Sequence, residues 1–319
     1  MSAYVTADPR LRNMDQGAAG GAAGGAAGGA PRAAGREAEW LPASRREVPM
    51  LLWRDSVGST NTELVRLAAD PELPAFSALI TTDQTAGRGR LDRAWVAPAG
   101  TALAVSVLVR APSGSDGRSV TTGAPAHSAA REGLGWLPLA AGAAMYDAVS
   151  GVLPRSVRVG LKWPNDIQLD GRKVCGILSE LVPPAQGSQG TAVVIGAGLN
   201  LTMTAEQLPV PTATSLALAG ADPTDATGLI DRVLAAYLRL LTAWVTELWR
   251  TGGDADRSGL RATVLERCST IGREVRVELP GGARLLGRAV GIDPLGRLEV
   301  SDDADQVSAV AAGDIIHLR

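Results

Sequence analysis

The change in apolar pattern near Cys268 constrains the fold of this chain more than any other feature. Before it, strand-like runs such as 78–82 and 101–109 alternate with longer segments of helical period such as 229–250. After it, short alternating runs are separated by the turn sequences Pro-Gly-Gly and Asp-Pro-Leu-Gly. The first pattern predicts a mixed domain of strands and helices, and the second predicts a small antiparallel β barrel or sandwich of about fifty residues. The expected fold class is therefore α+β.

Other segments of the first region also have patterns that assign them to elements. The run 50–57 predicts a strand, and 58–70 predicts a helix in which Thr60 and Glu63 have capping-box spacing. The segment 136–153 is expected to be helical as well. Further strands are expected within 157–182, with a turn at Asp170-Gly171, and at 191–201.

Two stretches lack any packing pattern. Residues 1–48 include a Gly/Ala repeat at 17–30, where the glycine pairs disfavour a helix, so this part is expected to be a disordered tail. The segment 111–133 is rich in Gly, Ser, Thr and Pro and is expected to be an exposed insertion. The expected organisation is therefore a tail, a main domain over 49–268 and a C-terminal domain over 269–319.

Composition argues against several classes of function. A net charge of −2 and a pI near 5.8 provide no general basic field for nucleic acid or an anionic membrane. No run approaches the length of a spanning helix and the first residues lack the apolar core of a signal peptide, so a cytoplasmic protein is expected. Cys175 and Cys268 have no framework or zinc spacing and are expected to stay reduced. With His127 and His317 as the only histidines, a histidine general base is poorly supported.

The segment 83–95, DQTAGRGRLDRAW, is a candidate anion-binding loop, called the arginine loop below. Guanidinium groups match carboxylate and phosphate oxygens bidentately, and Gly87 and Gly89 would let the backbone approach a ligand closely. A solvated loop without a specific role is an equally good interpretation, and Trp95 alone is better explained as an anchor in the core. The arginines of this loop are Arg88, Arg90 and Arg93.

The segment 162–166, KWPND, is a second candidate. Asn165 and Asp166 offer hard oxygen ligands suited to Mg²⁺ on a nucleotide, although a simple Pro-Asn-Asp turn explains them too. Lys173 follows a turn, where a lysine is ordinarily a solvated surface charge. Gly176 is interpreted as either a bulge or a ligand contact.

Two further candidates are GAGLNL at 196–201, where Asn200 ends a buried-looking strand, and GSTN at 58–61. A strand-end turn explains the first, and helix capping explains Ser59, Thr60 and Asn61. A helix N-terminus also attracts a carboxylate or ureido oxygen. Each candidate is weak singly, but their order along the chain is specific.

In this order, the motifs GSTN, QTAGRGRLDRAW, KWPND, GRKVCGILSE and GAGLNL resemble those of the bacterial biotin–protein ligases, with a likeness that covers about residues 50–319. The resemblance implies a catalytic domain related to class II aminoacyl-tRNA synthetases and an SH3-like C-terminal domain. It implies that biotin and ATP form biotinyl-5′-AMP and pyrophosphate with Mg²⁺. It also implies transfer of biotin to a lysine of the carboxyl carrier domain of an acyl-CoA carboxylase, without a tightly bound organic cofactor.

The resemblance further implies roles for individual residues. Lys173, Arg88 and Arg90 would act in catalysis, and Asp166 would bind Mg²⁺. ATP is expected beside Arg93, Trp95, Asn165, Asp166 and Asn200. Biotin is expected to contact Ser59, Thr60, Asn61, Gln84, Gly87, Arg88, Gly89, Arg90, Lys173, Gly176 and Gly196.

Two departures from the family pattern affect these expectations. Asp92 stands where the family's loop commonly has glycine, which is expected to change loop mobility or the anion-attracting field. Residues 1–48 lack a winged helix-turn-helix pattern, so no DNA binding is expected, and the chain is expected to be a monomer or weak homodimer. The alternatives are a lipoate–protein ligase, a biotin-sensing regulator without ligase activity, and a degenerate binding protein. The loop and KWPND favour biotin, and Lys173, Arg88 and Asp166 together argue against degeneracy.

Overall fold

The computed structural model describes residues 36–37, 40–90, 93–112, 133–183, 190–279, 282–311 and 313–318. Asp92, most of the expected insertion at 111–133 and residues 1–35 of the expected tail lie outside these ranges. The described residues form an eight-stranded sheet, a five-stranded sheet and a two-stranded hairpin, together with helices. The predicted α+β class is confirmed.

The strands follow the expected segments closely. Those of the main region are β1 (Arg36–Glu37), β2 (Leu51–Trp53), β3 (Ala78–Thr81), β4 (Gly87–Arg88), β5 (Ala94–Trp95), β6 (Ala102–Arg110), β7 (Val159–Lys162), β8 (Asp166–Leu169), β9 (Arg172–Leu181) and β10 (Ala192–Asn200). Those of the C-terminal region are β11 (Glu274–Glu278), β12 (Arg284–Ile292), β13 (Leu298–Ser301), β14 (Val307–Val310) and β15 (Asp314–His317).

The helices are α1 (Thr60–Leu67), α2 (Leu137–Ser150), α3 (Ala226–Arg250) and α4 (Leu260–Arg267), with a short 3₁₀ turn at Ser44–Arg46. The predicted helices at 58–70, 136–153 and 229–250 are therefore confirmed, with shifted ends. None of the helices in the described ranges is both long and apolar enough to cross a membrane.

The large sheet has the strand order β1-β2-β3-β6-β10-β9-β8-β7 and is antiparallel except between β2 and β3. Helices α2 and α3 pack with one face, where Leu51 and Ile80 are buried, and α1 packs with the other, where Leu52 and Leu79 are buried. Because both faces are covered, β6 and β10 consist of nearly continuous buried residues. This burial explains their uninterrupted apolar sequence.

The N-cap of α1 is Ser59, one residue before the predicted cap at Thr60. Ser59 has the extended backbone that a cap requires, and its hydroxyl accepts from the Thr62 N–H at 3.4 Å. The Thr60 N–H instead donates to Gln84 Oε1 at 2.8 Å. The predicted capping box is therefore wrong, and Glu63 forms ion pairs on the surface.

Residues 40–48 belong to the folded main region, so the expected boundary at residue 49 is wrong. The Leu41 and Ser44 side chains are fully buried. Asp231 of α3 accepts hydrogen bonds from the Ala43 N–H at 3.0 Å, the Ser44 N–H at 2.8 Å and the Ser44 hydroxyl at 2.6 Å. A single 3₁₀ turn is too short to produce a periodic apolar pattern, which is why no pattern in the sequence indicated this packing.

The C-terminal sheet is antiparallel, with the strand order β14-β13-β12-β11-β15. A turn after β12 meets the main region through two buried tryptophans. Trp136 Nε1 donates to the Pro294 carbonyl at 2.7 Å, and Trp163 Nε1 donates to the Gly296 carbonyl at 3.1 Å. These bonds hold the C-terminal sheet beside KWPND, the motif that contains Trp163.

Candidate functional site

A cavity of about 540 Å³ opens beside β9, β10 and the arginine loop. Its volume is in the usual range for small-molecule sites. All the residues singled out in the sequence line it except Gly87. These are Ser59, Thr60, Asn61, Gln84, Arg88, Gly89, Arg90, Arg93, Trp95, Asn165, Asp166, Lys173, Gly176, Gly196 and Asn200.

One end of the cavity has a connected row of hydrogen bonds. Thr60 donates to Gln84 Oε1 through its N–H at 2.8 Å and its hydroxyl at 3.0 Å. Ser106 Oγ lies 2.6 Å from Asn61 Oδ1 and 2.8 Å from Thr60 Oγ1. Asn61 Nδ2 donates to Glu180 Oε2 at 2.7 Å, so Asn61 Oδ1 is left to accept from the Ser106 hydroxyl. Because each hydroxyl has one proton and that of Ser106 goes to Asn61, the Thr60 hydroxyl can donate either to Gln84 Oε1 or to Ser106 Oγ.

Gly196 allows Asn61 to reach this position. A Cβ atom added to Gly196 would lie 2.1 Å from Asn61 Oδ1, and no side chain can be so close. At the end of the same strand, Asn200 donates through Nδ2 to the Thr214 carbonyl at 2.9 Å. This bond fixes the segment after β10 against the sheet, so Asn200 already has a structural contact.

Arg88 connects the arginine loop to the sheet. Its guanidinium donates to both carboxylate oxygens of Glu180, at 2.7 and 3.0 Å, and to Thr62 Oγ1 at 3.1 Å. Glu180 thus contacts both Arg88 and Asn61. The sequence identified Arg88 as an anion-binding side chain, and in this structure its anion is a carboxylate of the protein.

The arginine loop is folded into a hairpin in which β4 pairs with β5. Gly87 is required there, because an added Cβ would lie 2.4 Å from the Trp95 carbonyl oxygen and 2.6 Å from Gln84 Nε2. The Trp95 indole packs over Gly198 of β10, where a Cβ would lie 2.9 Å from the ring. Trp95 therefore holds the hairpin against β10 and lines the cavity, but it is half-buried and is not part of the described hydrophobic core.

The other end of the cavity is cationic. Lys173 Nζ lies 2.6 Å from Asp166 Oδ1, and both side chains stand over Gly176. The backbone of Lys173 is held on the far side as well, by bonds of 2.8 Å to Thr212 and Thr214. Lys173 thus lines the cavity and is paired with Asp166, although its side chain is 45% exposed.

The C-terminal sheet also contributes to this end. Arg90 donates to Asn165 Oδ1 at 3.1 Å and to the Gly313 carbonyl at 3.2 Å, while Arg93 forms an ion pair with Asp314 at the start of β15. Burial lowers the pKa of Arg90, and the nearby Arg93 lowers it further, while carboxylates oppose the shift. Two of the three loop arginines therefore contact the C-terminal region.

Other titratable groups near the cavity have shifted pKa values. Burial raises the pKa of the Cys175 thiol to about 12, so this thiol is neutral and, like Cys268, it is free. Burial lowers the pKa of Lys162, and the charge of Lys173 lowers it further, although Asp166 opposes this. Burial and the charge of Lys162 lower the pKa of His317 to about 4, so His317 is uncharged at neutral pH.

Asp166, the expected Mg²⁺ ligand, presents a single carboxylate at the cavity wall. Its Oδ1 atom is shielded from solvent and receives no well-aligned hydrogen bond from the described residues, although Lys173 Nζ is close. No group of three or more His, Cys, Asp or Glu side chains in the described ranges could hold a metal. These features fit Mg²⁺ that keeps water and phosphate oxygens as its other ligands, and they do not fit an all-protein cage.

Sequence reasoning missed Ser106 and Glu180, which bond to lining residues, and several lining residues, among them Asp314 and the segment 209–213. Ser106 was indicated only by a lone hydroxyl inside the apolar run 101–109. Glu180 ends the motif GRKVCGILSE but was not singled out. Asp314 gave no signal, because its proximity to Arg93 arises from tertiary packing.

Known proteins resemble this chain over most of its length. The model of the Biotin/lipoate A/B protein ligase family matches residues 53–200, and that of the Biotin protein ligase C terminal domain matches 270–318. A biotin–[acetyl-CoA-carboxylase] ligase of Mycobacterium tuberculosis is 38% identical over 263 residues, which cover 82% of this chain and 86% of that protein. One of Paracoccus denitrificans is 38% identical over 143 residues, covering 45% of this chain and 51% of that protein.

Solved structures agree in fold. The biotin protein ligase from Aquifex aeolicus in complex with biotin and ATP superposes with a TM-score of 0.60 at 21% identity. The alignment covers 85% of this chain and 99% of that chain. At this level of identity the match establishes the shared fold.

Proposed function

The chain belongs to the biotin–[acetyl-CoA-carboxylase] ligases, and from this premise we propose that its cavity activates biotin with ATP and transfers it to a lysine of a biotin carboxyl carrier domain. The first step forms biotinyl-5′-AMP and releases pyrophosphate. In the second, the acceptor amine attacks the acyl carbon and AMP leaves. The chain is accordingly an ATP-dependent ligase.

The division of the cavity into two chemically different ends is the observation that carries this proposal. The hydrogen-bonded end contains fixed donors and acceptors among small residues, which suits the ureido group of an otherwise largely apolar vitamin. The cationic end suits the carboxylate and the phosphates. We assign biotin to the end with Thr60, Asn61 and Gln84, and ATP to the end with Asn165 and Asp166.

Charge neutralisation explains the residues of the cationic end. A carboxylate that attacks an α-phosphate brings two anions together, so the transition state needs positioned cations. Lys173 and Arg90 are the proposed catalytic cations because both are held at fixed positions in the cavity wall. Bound Mg²⁺ would supply further neutralisation of the phosphates, and Asp166 is its proposed protein ligand.

Several finer assignments are part of the same proposal. We propose that the main region is related to class II aminoacyl-tRNA synthetases, that the C-terminal sheet is SH3-like, and that the catalytic domain begins at about Trp40. The net charge of −2 favours a role without DNA binding. The proposed state of association is a monomer or weak homodimer.

The function can be tested with purified protein, biotin, MgATP and a carrier domain. We expect the intact mass of the carrier to increase by one biotinyl group, and we expect no change when the acceptor lysine of the carrier is replaced by arginine. Because the matching family model includes lipoate ligases, the reaction is repeated with equal biotin and lipoate. Preferential attachment of lipoate would contradict the assignment of biotin.

A further inference from the structure

Lysine is nearly absent from this chain. Of its 31 basic residues, two are lysine, Lys162 and Lys173, and the other 29 are arginine. Both lysines lie at the cationic end of the cavity or beside it. Consequently no other position in these 319 residues carries a primary amine on its side chain.

This distribution affects the chemistry of the proposed intermediate. Biotinyl-5′-AMP acylates a neutral amine, whose nitrogen attacks the acyl carbon as the bond to AMP breaks and a proton leaves the nitrogen. The guanidinium of arginine stays charged and delocalised, so it is a poor nucleophile in this reaction. An intermediate that escapes from the cavity meets the surface of its own enzyme first, where its local concentration is highest.

The two remaining lysines are each protected by their surroundings. Lys173 Nζ is in an ion pair with Asp166 at 2.6 Å. Lys162 is half-buried at the end of β7, opposite Asp166 in the strand register, and is not part of the cavity lining. This partial burial is the protection on which its amine depends.

We propose that the confinement of lysine to the active site makes this enzyme resistant to acylation by the biotinyl-5′-AMP that escapes from it. The proposal rests on the proposed function. Its physical content is that, apart from Lys173, which is 45% exposed but paired with Asp166, the exposed side-chain cations are guanidinium groups, which provide charge without a nucleophilic amine. The arginine side chains still keep the surface charged and still form ion pairs. Examples are the surface pairs Arg66–Glu63, Arg158–Asp170 and Arg250–Glu247.

The first experiment incubates the enzyme with biotin, MgATP and a lysine-bearing bystander protein, without a carrier domain. Intact mass and peptide mapping then locate the biotin. We expect label on the bystander and none on Lys162 or Lys173, and label on either lysine would overturn the proposal. In a second arm, synthetic biotinyl-5′-AMP replaces biotin and ATP. This arm decides the proposal independently, because an inactive ligase would fail only in the first arm.

A variant with new surface lysines provides the positive control. Arg66, Arg158 and Arg250 have side chains that are 67%, 87% and 69% exposed, and none of them lines the cavity. The triple variant Arg66→Lys, Arg158→Lys, Arg250→Lys should acquire at least about tenfold more label than the parent, since its exposed amines belong to the same molecule that releases the intermediate. The same three positions changed to glutamine should stay unlabelled. Equal labelling of the parent and the lysine variant would overturn the proposal.

Discussion

Some side chains of this cavity both support its wall through hydrogen bonds and form part of the proposed binding surface. Asn61 is the example, since it bonds to Ser106 and Glu180 and can occupy its place only because Gly196 lacks a Cβ. A substitution at such a position changes both the pocket and its support. The residues that separate these effects best are Lys173 at the cationic end of the cavity and Glu180, which holds Arg88 and Asn61.

Lys173→Ala should slow adenylation by on the order of 10²-fold or more, comparable to the loss of one oxyanion donor. The ammonium is expected to interact more strongly as charge develops at phosphorus, so biotin binding should weaken less than the rate. Lys173→Arg should rescue poorly, since a planar fork does not place its charge where a compact ammonium does. The measurement is single-turnover formation of biotinyl-5′-AMP at saturating substrates.

The neighbouring exposed residue Arg172 offers a matched control, because it lies on the same strand outside the cavity lining. Arg172→Ala should keep the parental rate. A parental rate in Lys173→Ala would show that this lysine takes no part in the chemistry.

Glu180→Gln should weaken biotin binding by about tenfold, the lower end of the range for a charge-assisted hydrogen bond, because Arg88 is half exposed. Glutamine keeps the shape but removes the charge that holds Arg88 and Asn61. Arg88→Ala should have little further effect in the Glu180→Gln background, as measured by a double-mutant cycle on the biotin Kd. Additive effects of the two changes would contradict a shared contact, and Glu72→Gln, an exposed acid, serves as the control.

Sequence reasoning found most of these residues because each motif is local. It missed Ser106 and Glu180 because both act through hydrogen bonds to a residue far away in the sequence. Asn61 is 45 positions from Ser106 and 119 positions from Glu180. It also assigned the cap to Thr60, since the spacing of Thr60 to Glu63 imitates a capping box.

The arginine loop behaves as an element with three separate attachments. Arg88 ties its first strand to β9, Trp95 packs its second strand on Gly198 of β10, and Arg93 ties it to Asp314 of the C-terminal sheet. The sequence predicted a long loop with anion-binding arginines and did not predict a hairpin. Pairing of two residues on each side is too short to leave a period in the sequence.

Asp314→Asn should lower the KM for ATP by up to about fivefold. This factor corresponds to the free energy that a partly exposed ion pair contributes. The change frees Arg93 for phosphate and removes a negative charge from the ATP end of the cavity. The dependence of this KM on salt should also become steeper. The control is Asp303→Asn, which changes an exposed acid of the C-terminal region. An unchanged or raised KM for ATP in Asp314→Asn would contradict competition between Asp314 and ATP for Arg93.

At the level of the complete chain, the order of most strands and helices and the all-β character after Cys268 were predictable, because buried strands and amphipathic helices leave different periods. Helix α4 was not among the predicted elements. The contact between the main region and the C-terminal sheet was not predictable. It depends on indole N–H groups of Trp136 and Trp163 that reach carbonyls of a distant turn. The packing of residues 40–48 was missed for the same reason, and it changes what a truncation should do.

Deletion of residues 1–35 should leave folding and ligation unchanged, whereas deletion of residues 1–48 should lower the free energy of unfolding by about 2–5 kcal/mol. The longer deletion removes the buried Leu41 side chain and leaves the Asp231 carboxylate without its three donors from Ala43 and Ser44. Denaturant unfolding of both truncated proteins measures the difference, and Leu41→Ala in the full chain isolates the apolar contribution. Equal midpoints for the two deletions would mean that residues 40–48 do not stabilise the main region in solution.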